Sequence, residues 1–150
     1  MNPNPVLLLA ITGALVSGAF AALQTPTNAM LSRAVNSPVN AALISFAVGT
    51  AALALIALTL GVRPNAAAVR ALPAYAWAGG LYGAFFVTAA AFAAPRIGLA
   101  LFIALLIAGQ LGMALLLDHL GAFGLPRQPI SPTRLLGVLL ILAGVVLVRR

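Results

Sequence analysis

The feature that most constrains this chain is how far it runs without a charged residue. The stretches 1–32, 34–62, 71–95, 97–117 and 135–148 contain none. Ordinary globular chains are about 45–50% apolar and about 25% charged. Here 63% of residues are hydrophobic and 6% are charged, with eight arginines, no lysine and one acid, Asp118. A soluble fold of 150 residues cannot cover itself with so few charges, so the surface must face lipid. Soluble enzymes, nucleic-acid binders and disulfide scaffolds are excluded together. The net charge of +7 is spread over single arginines between apolar runs, with only Arg149 and Arg150 adjacent. That spacing marks loops at a membrane surface, not a nucleic-acid footprint. With no cysteine there is neither a disulfide framework nor thiolate chemistry.

A helix needs about 20 apolar residues to cross roughly 30 Å of hydrocarbon. Cutting the chain at arginines, prolines and polar clusters leaves five spans, at about 6–31, 39–62, 72–93, 98–117 and 135–148. The apolar runs are continuous and not alternating, which selects helices over a β-barrel. The expectation is an all-α integral membrane protein, with residues 1–150 forming a single five-helix transmembrane domain. The fifth span is short, and Arg134 and Arg149 can snorkel toward the two interfaces. The break between spans three and four is placed at Ala94-Pro95-Arg96-Ile97, and the one long loop at about 118–133. The N-terminal segment lacks the basic start of a signal peptide, so Gln24-Thr25-Pro26 is read as an interruption within a bent first helix.

Arginines in short loops set orientation. Five spans put Arg63, Arg70, Arg127 and Arg134 on one side and Arg33, Arg96, Arg149 and Arg150 on the other, four against four. A balanced chain can insert either way. Two copies in opposite orientations then build the inverted repeat that larger transporters carry in one polypeptide. The other reading is a chance balance, with the N-terminal amine or the arginines' distance from the bilayer fixing one orientation.

Polar groups in lipid require a partner or a purpose. Gly13, Ser17, Ala21, Gln24 and Asn28 recur at spacings of 4, 4, 3 and 4, along one helical stripe. Pro26 has no N–H and deprives the Ala22 carbonyl of its usual donor, so a helix kink is expected there. Gln24 and Asn28 are read as substrate-binding amides, with interhelical hydrogen bonding as the other reading. Gly13 and Ser17 are read as helix packing. Gln110 lies within the fourth span between Gly109 and Gly112, and joins the substrate-binding set. In the third span Trp77, Gly80, Ala84, Thr88 and Ala91 form a stripe, of which Trp77 and Thr88 are substrate candidates, with an interfacial belt, shared with Tyr75, as the other reading of Trp77. Gly79 and Gly83 are a GxxxG pair suited to close packing.

Asp118 and His119 are the only acid and the only histidine. They are candidates for ion coupling; the alternative is a loop pair with Arg127 or Arg134. No spacing of His, Asp and Glu suits a metal, and no nucleophile–base pair is present. The reading is therefore not an enzyme, with no cofactor and no metal.

A family resemblance rests on several motifs in order. The run from Gln24-Thr25-Pro26-Thr27-Asn28-Ala29-Met30-Leu31 continues to Ser37-Pro38 and then Ile44-Ser45-Phe46 with Gly49. Trp77 with Gly79-Gly80, Pro95-Arg96-Ile97-Gly98, Gly109-Gln110-Leu111 and Asp118-His119-Leu120-Gly121 follow. Arg134, Gly137 and Gly144-Val145 close the series. Together they resemble the YdcZ-like inner-membrane exporters of the drug/metabolite transporter superfamily, which are related to the small multidrug resistance proteins. The resemblance implies five helices per chain, dual-topology or oppositely oriented pairs, and fused ten-helix relatives. One departure matters. The first span has Gln24 and Asn28 but no glutamate, so the proton–cation exchange of the small multidrug resistance proteins does not carry over.

The expected function is movement of a small polar or amphipathic metabolite across a bacterial inner membrane by alternating access. The expected partners are the bilayer, the solute, and a second copy as an antiparallel homodimer or an oppositely oriented paralogue, with no nucleic acid. The rival readings are a dual-topology ion channel and a membrane assembly subunit without a pathway.

Overall fold

The computed structural model describes residues 4–148. Arg149 and Arg150, which enter the arginine balance, lie outside them. Helix α1 spans Pro5–Ala34, α2 Pro38–Thr59, the short α3 Ala66–Arg70, α4 Gly79–Ile97, α5 Leu99–Leu120 and α6 Pro132–Val148. A 3₁₀ turn, Ala74–Ala78, leads into α4, and a second, Ala122–Gly124, follows α5. Four segments are long and apolar enough to cross a membrane: α1, α2, Ala74–Ile97 and α5. The fifth, α6, has 17 residues. At about 1.5 Å per residue it falls a little short of the hydrocarbon thickness. The chain is thus all-helical, with four long apolar helices and a shorter one, as a multi-pass membrane protein requires.

The helix starts follow from capping chemistry. The Asn4 side chain accepts from Val6 N–H, and Pro5 occupies the first turn, where an N–H has no partner to lose. Ser37 and Pro38 repeat the arrangement at α2, with Ser37 Oγ accepting from Asn40 N–H at 3.2 Å. Asn65 Oδ1 accepts from both Ala67 and Ala68 N–H groups and starts α3 in a stretch that the sequence reads as plain loop. Helix α4 continues through Pro95 and Arg96 to Ile97, beyond the break expected at 94–97. The separator is Gly98, at φ 88° and ψ 145°, a conformation that glycine alone adopts without strain. Pro95 lies in the last turn of α4, where its missing N–H takes the usual donor from the Ala91 carbonyl without ending the helix.

The chain divides into two units, Met1–Arg96 and Ile97–Arg150. In the first unit α1 packs against α2. Its buried apolar residues are small: Ala29 on α1, Ala41 and Ala42 on α2, Ala90, Ala91 and Ala94 on α4, with Val87. Alanines let helices approach closely where lipid offers no competing hydrophobic force. Gly83 on α4 contributes similarly. A Cβ there would sit 3.0 Å from Phe46 Cζ on α2, so the ring rests on bare backbone. Gly79 has nothing within 4 Å of its missing Cβ, so only one member of the GxxxG pair makes a close approach within this chain. In the second unit α5 packs against α6.

Candidate functional site

Residues 21–28 of α1 carry the polar chemistry of the first unit. The helix is unbroken through Pro26, yet its carbonyls are bonded irregularly. Thr25 Oγ1 donates to the Ala21 carbonyl at 3.1 Å, and Thr27 Oγ1 reaches the Leu23 and Gln24 carbonyls at 3.2 and 2.8 Å. These two threonines flank the proline that takes a donor from Ala22. Hydroxyls bonding back to carbonyls one turn earlier satisfy themselves without a second helix and loosen the regular ladder. The sequence reading did not single out either threonine; the signal was their position on each side of Pro26.

Asn28 lies one turn beyond Gln24 and is buried, with 4% of its surface exposed. Its Nδ2 is enclosed and has no hydrogen-bond partner among the described residues. An unmatched buried donor costs about 1–3 kcal/mol relative to one that is bonded or solvated. Gln24, by contrast, is exposed. It lines an open groove of about 580 Å³ along α1 with Ser17, Phe20, Ala21, Leu23 and Thr27. The stripe read from the sequence therefore divides along its length. Gly13, Ser17 and Gln24 are uncovered, Ala21 is half-buried, and Asn28 is enclosed. Gly13 has nothing within 4 Å of its missing Cβ among the described residues, and Ser17 Oγ donates to the Gly13 carbonyl at 2.8 Å within α1.

The other candidates occupy different places. Thr88 is half-buried on α4 beside buried Val87. Trp77 lies in the exposed 3₁₀ turn ahead of α4, away from the buried alanines. Gln110 belongs to the second unit and is exposed on α5.

Asp118 and His119, in the last turn of α5, organise the loop that leads to α6. Arg134 Nη2 donates to Asp118 Oδ2 at 2.5 Å, and Arg134 Nη1 to the Gln128 carbonyl at 3.2 Å. Gln128 N–H returns to the Asp118 carbonyl at 2.7 Å. His119 Nδ1 accepts from Ile130 N–H, and Arg127 Nε donates to the His119 carbonyl. Gly121 turns the chain at φ 62°, where an added Cβ would also press on Arg127 Cβ and the Leu125 carbonyl at 3.3 Å. Both side chains named for ion coupling are thus engaged in closing the α5–α6 connection.

Comparison with known families gives one result. A family model described as "Putative inner membrane exporter, YdcZ" matches residues 9–147, nearly the whole chain. No curated protein and no solved structure matches it.

Proposed function

The chain belongs to the YdcZ inner-membrane exporter family, and we propose that it is a carrier for a small polar or amphipathic metabolite. In this reading two copies in opposite orientations form the working unit, and export proceeds by alternating access. The observation that carries the proposal is the unmatched Asn28 Nδ2 beside the proline-interrupted ladder of α1. A donor left idle inside a membrane helix is tolerated where a solute supplies the acceptor. A carbonyl or carboxylate oxygen meets that need, and the Gln24 amide can both donate and accept.

Pairing follows from exposure and from number. The first four turns of α1 present Leu8, Leu9, Ile11, Leu15 and Phe20 outward, leaving its polar groove open to a second chain. The one carboxylate, Asp118, lies in the last turn of α5 and is paired with Arg134, and none lies deeper in the described spans. Facilitated exchange or uniport therefore fits better than obligate proton antiport.

Gln24→Ala tests the site. It removes one uncharged hydrogen-bonding group, worth roughly 1.4 kcal/mol or a tenfold change in rate, from an exposed position where packing is not at stake. In proteoliposomes, a solute that the parent exports from a panel of amino acids and polyols is expected to leave about tenfold more slowly. Parent-level efflux from a correctly assembled variant would overturn the site.

A further inference from the structure

The end of α1, the start of α2 and the end of α4 border an open recess of about 580 Å³ within the first unit, lined in part by the exposed Arg33 and Arg96. Ser32, Asn36, Ser37 and Phe92 supply much of the remaining wall. Chain direction puts these segments at one membrane face, since α1 and α4 both end there and α2 begins there.

Arg96 is held in place. Its guanidinium stacks on the Phe92 ring, with Cζ 3.7 Å from the centroid, and Nη1 donates to the Phe92 carbonyl. A guanidinium carries five N–H donors in a planar fork, so most of its capacity is unused. Arg33 makes no hydrogen bond or ion pair among the described residues. The Ser37 hydroxyl accepts from Asn40 N–H and keeps its own proton to donate. No side chain can neutralise this pair from within, because the one carboxylate, Asp118, is held by Arg134. Two forks and a hydroxyl around a cavity at the membrane surface match an oxyanion with several acceptor oxygens.

We propose that Arg33 and Arg96 hold a phosphate-type oxyanion in this recess and that its source is the headgroup of an anionic phospholipid. Both arginines line this recess, and the chain direction of α1, α2 and α4 puts it at the helix ends, where lipid headgroups would meet it. The assignment is independent of the solute site on α1.

The test uses the full chain purified in a neutral maltoside detergent. Adducts are counted by native mass spectrometry against dioleoylphosphatidylglycerol, dioleoylphosphatidylcholine and inorganic phosphate. Phosphatidylglycerol is expected to bind saturably and phosphatidylcholine not. Arg33→Gln with Arg96→Gln is expected to weaken phosphatidylglycerol binding by about tenfold or more. Arg63→Gln with Arg70→Gln, which lie outside the recess, should change it by less than about twofold. Equal loss in both pairs, or parent-like binding by the first, overturns the proposal. Saturable binding of inorganic phosphate that excludes the lipid overturns the lipid source. If the first pair fails to fold, Arg33→Gln alone decides, because Arg33 bonds to nothing that folding would miss.

Discussion

Asn28→Ala is expected to slow solute efflux by about tenfold or more while leaving the folding stability of the purified protein within about 1 kcal/mol of the parent. The two effects normally travel together at a buried position. Truncating a well-packed buried side chain costs about 2–5 kcal/mol through lost contacts and the cavity left behind. At Asn28 a second effect opposes that loss, because the deleted amide includes an enclosed donor with no partner. Removing it returns about 1–3 kcal/mol, and alanine favours the helix more than asparagine does. A residue whose removal costs efflux and not stability is there for the solute. Thermal melting of the purified variant beside proteoliposome efflux separates the possibilities. A variant that melts far earlier and still transports would make Asn28 packing material.

The second large effect is expected at the α5–α6 connection. Arg134→Ala strips Asp118 of its counter-ion and the Gln128 carbonyl of a donor in one step. With side-chain exposures of 33% and 27%, the pair is neither fully screened nor fully buried. A cost of about 1–2 kcal/mol is expected, between the small values of surface pairs and the larger ones of buried pairs. The loss should be local. Hydrogen exchange should rise across residues 118–134 and remain unchanged in α1 and α2. A double-mutant cycle with Asp118→Asn should give a coupling of roughly 1 kcal/mol, smaller in high salt. Should Asp118 couple ions instead, Asp118→Asn would abolish efflux driven by an ion gradient and leave the melting temperature unchanged.

Much of this architecture is legible in the sequence because lipid allows few alternatives. The five apolar runs and their polar separators locate the helices to within a few residues. The exceptions are local. Pro95 looks like a terminator, yet α4 runs two residues past it, and the chain turns at Gly98, where φ becomes positive. Asn65 starts a short helix because its side chain caps two N–H groups, which loop composition does not reveal.

The candidate site is legible only in part. Helical spacing puts Ser17, Gln24 and Asn28 on one stripe, but spacing cannot tell where along α1 its neighbours begin to cover it. That is why Gln24 is exposed and Asn28 enclosed. The loop pairing offered two partners for Asp118, and the turn at Gly121 selects Arg134. The meeting of Arg33 with Arg96 depends on three segments distant in sequence, and no local pattern announces it.

The central claim is that two oppositely oriented copies make the transporter, and the cysteine-free chain allows a direct test. A single Pro64→Cys, in the exposed connection between α2 and α3, provides one labelling site per chain. Its reaction with a membrane-impermeant maleimide is measured in intact and then in permeabilised cells. For oppositely oriented copies, about half the chains are expected to label before permeabilisation and the rest only after it. Labelling of nearly all or nearly none in intact cells would show one fixed orientation and contradict the antiparallel homodimer.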